Sequence, residues 1–171
     1  MAVLDVVLYP DDPLMKKADA FDGVGPDALQ LADDMLETMH AYDGVGLAGP
    51  QVGIAKRILV LEPPEAEPMC LINPVLSAFE GSEEGEEGCL SLPQLYATVK
   101  RAASIHVQAL NEHGEAVEFD AEGFLARVIQ HEFAHLEGKL FPDRVDIMTR
   151  EALMHDWREI RETLQESARL G

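Results

Sequence analysis

The chain is poor in cysteine, in positive charge and in long apolar runs. Two cysteines in 171 residues, Cys70 and Cys89, cannot build the disulfide framework of a small secreted scaffold. Lys and Arg number 13 against 32 Asp and Glu, a formal net charge of −19, and repulsion of phosphate argues against nonspecific nucleic-acid binding. No apolar stretch approaches the roughly 18 residues of a membrane-spanning helix, and residues 1–5 lack the basic and apolar regions of a secretory signal. These absences predict a cytoplasmic protein with neither a membrane nor a nucleic acid as partner.

With 47% hydrophobic residues the chain can bury a sizeable core. No repeat, linker or shift in composition divides it, so a single domain over residues 1–171 is expected. Pro26, followed by Leu29, Ala32, Leu36 and Met39, predicts a helix over 26–42. Short strands are expected at 57–61, 70–76, 104–110 and 116–119, the last two joined by a hairpin turn at Asn111-Glu112-His113-Gly114. A second helix over 121–137 places Phe124, Val128, His131 and His135 within about 40° of one another, with Gly138 as its stop. Thr149 is positioned to cap a third helix in which Leu153, Trp157, Ile160 and Leu164 recur on one face. The acidic run Glu83-Glu84-Gly85-Glu86-Glu87 reads as a solvated loop, with Glu87 near enough to Cys89 to help organise a site. The fold class expected is α+β, with antiparallel strands around a central helix that carries the histidines and a C-terminal helix packed on the body.

The chemistry is concentrated in His131-Glu132-Phe133-Ala134-His135. Two histidines four apart on a helix point the same way and can grip one metal ion, and the carboxylate beside the first can take a proton from water at that ion. Both share a face with Phe124 and Val128, so they should point inward, where two unpaired imidazoles would be costly to bury. The third ligand is open on spacing alone. Cys89 offers a thiolate, Glu151, Glu159 and Glu162 lie downstream, and Phe141 stands where one protease class has a third histidine.

Three separated blocks resemble the peptide deformylases: Gly44-Val45-Gly46-Leu47-Ala48-Gly49-Pro50-Gln51, Glu87-Gly88-Cys89-Leu90-Ser91 and Gln130-His131-Glu132-Phe133-Ala134-His135-Leu136-Glu137-Gly138. The resemblance implies hydrolysis of the N-formyl group from the initiator methionine of nascent polypeptides, with release of formate. It implies Cys89, His131 and His135 as ligands of one divalent ion, ferrous iron natively, with zinc, nickel or cobalt able to replace it. It makes Glu132 the base and then the acid, assigns the developing oxyanion to the Gln51 amide and the Leu90 N–H, and lays the substrate along Val45 and Gly46, with Phe124 and Val128 as walls of the methionine pocket. Arg127 falls near that pocket, pointing either way. The partners implied are N-formyl-methionyl peptides and, transiently, the ribosome. Cys70 is expected to be inert core.

The chain departs from this family in two places. Ala134 stands where an aspartate is usual, which predicts reduced activity and an Arg101 in need of another partner, Glu87 being available. Gly49 replaces a small residue more often alanine, which predicts a looser turn before Gln51. The alternatives to a deformylase are a homologue with reduced or altered activity and a metallopeptidase.

Overall fold

The computed structural model describes residues 2–170, with side chains through residue 168. The fold is α+β. Helix α1 (Pro26–Ala41) is followed by strands β1 (Gly46–Ala48), β2 (Ile58–Leu61), β3 (Met69–Glu80), β4 (Glu83–Cys89), β5 (Leu92–Arg101), β6 (Ser104–Leu110) and β7 (Ala116–Glu122), then by helices α2 (Gly123–Leu136) and α3 (Ile147–Leu170). One antiparallel sheet has the order β1-β2-β3-β6-β7, and β4 and β5 pair as a separate antiparallel hairpin.

Strand periodicity decides where the helices sit. Along β2 and β3, Ile58, Val60, Cys70 and Ile72 turn to α1 and pack with Ala28, Ala32, Met35 and Met39. The alternate residues Leu59, Leu61 and Leu71, with Ile105 and Val107 of β6, meet Ala126, Val128, Ile129 and Leu136 of α2. The sheet is therefore covered by α1 on one face and α2 on the other. Each fully buried Leu, Ile or Val contributes roughly 1.5–3 kcal/mol, so both helices are firmly held. The hairpin has a core of its own, in which Leu92, Leu95 and Val99 of β5 pack with Leu14, Phe141, Leu153 and Trp157. Trp157 Nε1 donates to the Tyr9 carbonyl at 3.1 Å, which fastens α3 to the N-terminal segment.

Several expectations need correction. The acidic run is not a loop: it forms most of β4, in register with 97–101 of β5. Strands β1 and β5 were not anticipated, and β3 and β7 run on to Glu80 and Glu122. Residues 121 and 122 consequently belong to β7 rather than to α2. Asp146, not Thr149, caps α3: its carboxylate accepts the Thr149 N–H at 2.8 Å and the Thr149 hydroxyl at 2.9 Å. Cys70 is buried in β3 as expected, and burial pushes its thiol up. Gly49 does not add slack. A Cβ there would stand 2.7 Å from the Lys56 carbonyl oxygen and 2.8 Å from that of Ile54, so glycine is what lets these backbones close up.

Candidate active site

Helix α2 ends where the sequence places its stop. Gly138 adopts φ +74° and its N–H reaches the His135 carbonyl at 3.1 Å, while the Lys139 N–H reaches that of Ala134 at 2.9 Å, satisfying the last turn. His135 therefore sits in the last turn and His131 one turn before it, both on the buried side, with ring centroids 5.2 Å apart. Phe141, where a third histidine might have stood, instead stacks on His131 at 6.4 Å. Cys89 comes from the end of β4, where the register with β5 shifts as the chain turns through Leu90 and Ser91. One donor atom from each of Cys89, His131 and His135 lies within 4.8 Å of the others, and Cys89 Sγ is 3.4 Å from His135 Nε2. None of the downstream glutamates joins this group.

Glu87 organises the centre. It lies two residues before Cys89, so strand alternation turns both toward α2. Its Oε1 is 2.8 Å from His131 Nδ1, and Arg101 grips both oxygens through Nε and Nη2 at 2.9 Å each. Arg127 adds a third partner at 2.7 Å. Burial alone would raise the Glu87 carboxyl, but the hydrogen bonds from His131 and Arg101 and their charges hold it well below the usual carboxylate range. An ionised carboxylate can only accept, so His131 Nδ1 is the donor and its Nε2 is left for the site. Arg127, whose direction the sequence left open, turns to the hairpin and also donates to the carbonyls of Val99 and Glu83. A Cβ on Gly85 would be 2.9 Å from Arg127 Nε, so the glycine in the acidic run lets the guanidinium lie directly against the strand.

Glu132 is buried, and its Oε1 has no hydrogen-bond partner among the described residues. Burial pushes its carboxyl up to about 7, opposed by the charges of His131 and Arg101 and assisted by that of Glu87. Gly46 leaves the room for it, since a Cβ there would stand 2.7 Å from Glu132 Oε2. Gln51 is 1% exposed in the turn Gly49–Val52. Its Oε1 accepts the Ala48 N–H at 2.9 Å, which aims Nε2 at Ser91 Oγ (3.3 Å) and Cys89 Sγ (3.5 Å).

These residues border a cavity of about 470 Å³. Val45, Gly46, Gln51, Cys89, Leu90, Phe124, Val128, His131 and Glu132 all line it, whereas His135 lies wholly buried beneath. Phe124 is not on the buried face as expected. It is 51% exposed, standing in the first turn of α2 and lining the cavity.

The donor set suits a metal. One sulfur and two imidazole nitrogens are a recurrent three-ligand set for a catalytic divalent ion. Burial drives the His135 imidazole well below its ordinary value, which keeps a lone pair free. At His131 burial acts in the same direction, but Glu132, Cys89 and Glu87 overcome it and carry the imidazole up to about 10. Positive charge is thus favoured at the point where a cation would sit. Sequence reasoning missed the contributions of Ser91 and of Phe141, whose roles depend on contacts that no local pattern announces.

A family model described as "Polypeptide deformylase" matches residues 3–151. A relative named "Peptide deformylase" from Alkalilimnicola ehrlichii is 42% identical over 174 aligned positions, spanning 100% of this chain and 94% of that protein. The crystal structure of peptide deformylase from Ehrlichia chaffeensis superposes with a TM-score of 0.91 at 35% identity, covering 95% of this chain and 98% of that one. That of peptide deformylase from Thermus thermophilus gives 0.90 at 41% identity, covering 97% and 99%.

Proposed function

The chain belongs to the peptide deformylase family, and from that premise we propose which residues perform the deformylation of nascent peptides for which the family is known. The family is metal-dependent, and Cys89, His131 and His135 would hold the ion, ferrous iron being the native one in our reading. Such an ion supplies a Lewis acid that polarises the formyl carbonyl and makes water more acidic.

The chain's own residues do the rest. Glu132, a carboxyl tuned by burial to about 7, takes the proton of the attacking water and returns it to the departing amine. The Gln51 amide and the Leu90 N–H stabilise the oxyanion, Gln51 being pre-aimed by its bond to Ala48. Val45 and Gly46 align the formylated peptide, and Phe124 and Val128 receive the methionine side chain. Glu87 positions His131 and, through it, the ligand set. We place these functions in a single domain over residues 1–171, acting in the cytoplasm on formyl-methionyl peptides, with transient approach to the ribosome. Among the described residues, no helix is long and apolar enough to cross a membrane.

The observation that most supports this assignment is the convergence of a thiol and two imidazoles beside the cavity-lining Glu132, whose buried Oε1 has no hydrogen-bond partner among the described residues. Its test is formate release from a formyl-methionyl peptide by anaerobically prepared, iron-loaded protein. Expected is metal-dependent release that a Glu132→Gln variant loses. Cleavage of an internal peptide bond instead would point to a metallopeptidase, and no release at all to a homologue that has lost the reaction.

A further inference from the structure

Behind the hairpin, on the side of α2 away from the formyl-peptide cavity, lies a second cavity of about 530 Å³. Its polar wall carries three cations, Arg101, Lys139 and Arg144, against two acids, Glu137 and Asp143. This is notable in a chain whose formal charge is −19. Arg101 is 3% exposed and spends Nε and Nη2 on Glu87, leaving Nη1 without a partner among the described residues. Nor is that guanidinium fully neutralised, because Glu87 shares one negative charge between Arg101 and Arg127 while also holding His131. Arg144 has only long contacts of 3.3 and 3.4 Å to the Lys100 carbonyl, and neither it nor Lys139 has a carboxylate within 4.0 Å among the described residues.

The two acids at the cavity wall are already engaged. Glu137 lies 2.9 Å from Arg57, and Asp143 accepts the Leu140 N–H and pairs with Arg150. The remaining wall is Gln130, whose amide is bonded to the backbone of Ala102 and Ala126, and an apolar side with Leu76, Phe133 and the 56%-exposed Phe79. Ala134 contributes only a methyl group where a longer side chain would fill the space.

We propose that this cavity is a second binding site, taking a small carboxylate with a short apolar body. The carboxylate head meets Arg101 Nη1 and the Arg144 guanidinium, and the body lies against Phe79 and Phe133. A guanidinium left half-used in a buried position calls for an anion, and bonds between ionised partners are the stronger kind. The apolar wall separates this ligand from an inorganic anion. Its occupant would touch the guanidinium that holds Glu87 against His131, so the site would communicate with the metal ligands through that hydrogen-bonded chain.

The test titrates zinc-loaded protein with sodium butyrate, acetate or chloride at equal ionic strength, read by the thermal midpoint and by proton NMR line broadening of the butyrate methyl group. Expected is saturable binding of butyrate, about tenfold tighter than acetate for its two added methylenes, with chloride inert. Arg144→Gln should weaken it by about tenfold or more through loss of a charged hydrogen bond, and Ala134→Asp, which brings its own carboxylate into the space, should abolish it. Absence of saturable binding overturns the proposal, as does binding that survives Arg144→Gln. If Ala134→Asp does not fold, the exposed Arg144→Gln substitution still decides the matter, since Arg144 does not border the formyl-peptide cavity.

Discussion

Helix α2 and the β4–β5 hairpin furnish one site in two different ways. The helix brings His131, Glu132 and His135 in five consecutive residues, and its pitch alone sets their relation. The hairpin brings Glu87, Cys89 and Leu90, and these are set by contacts beyond their own strand: Arg127 of α2 reaches across Gly85 to Glu83 and Val99, and Arg101 of β5 clamps Glu87. The pair of histidines is thus a local property of one segment, while the approach of Cys89 to them is a tertiary one. Damage to the helix carboxylate should strike the chemistry with the metal still in place. Damage to the hairpin should strike metal retention first.

The largest effect is expected from Glu132→Gln. Loss of a positioned proton-transfer group should lower kcat/KM for a formyl-methionyl peptide by about 10²–10⁴-fold, with metal content by atomic absorption at the wild-type level. If the metal leaves together with the activity, helix and hairpin do not divide the labour in this way. Next comes Gln51→Leu, which removes the proposed oxyanion donor and should cost about 10²–10³-fold in kcat with KM little changed. A rise in KM with kcat intact would make Gln51 a binding residue instead.

Much of the helical half was legible in the sequence, and much of the hairpin was not. Helix periodicity marks α1, α2 and α3 because each buries one stripe on an existing surface, and Gly138 marks an end through its positive φ. Strand β4 reads Glu83-Glu84-Gly85-Glu86-Glu87-Gly88-Cys89 and contains no residue that favours strands, so its extended state comes from β5 and from Arg127. In β5, Pro93 and Gln94, the latter at φ +71°, break the alternation, so that Leu92, Leu95, Val99 and Arg101 are buried without a clean period of two. The burial of a charged Arg101 also runs against composition, and only its bidentate pairing with Glu87 explains it. Gly49 shows the same limit. Its need for close backbone approach comes from Ile54 and Lys56, whose folding back cannot be read at position 49.

Glu87→Gln sharpens the contrast from the hairpin side. Keeping the shape but removing the charge leaves two guanidiniums without their shared counter-charge and weakens the bond that orients His131. Metal affinity, measured by competition with a chelator, should fall by about 10–100-fold, while kcat at saturating metal falls less. Equal loss in both would mean that Glu87 acts in the chemistry and not through its neighbours.

The smallest effect is expected from Ala134→Asp alone, because a carboxylate at 134 would meet the free Nη1 side of Arg101 and leave in place both the paired grip on Glu87 and the bond from Glu87 to His131. Metal affinity in this variant should stay within about tenfold of the parent, below the span typical for losing a group that supports a ligand. The same substitution should matter more once Glu87 is Gln. A carboxylate at 134 would then be the nearby counter-charge for Arg101, and the double variant should recover part of the lost metal affinity. A coupling of about 0.5 kcal/mol or more in that cycle would show that positions 87 and 134 serve the same guanidinium. Simple additivity would show that Ala134 is a neutral feature of the second cavity's wall, and that the hairpin's hold on the metal depends on Glu87 alone.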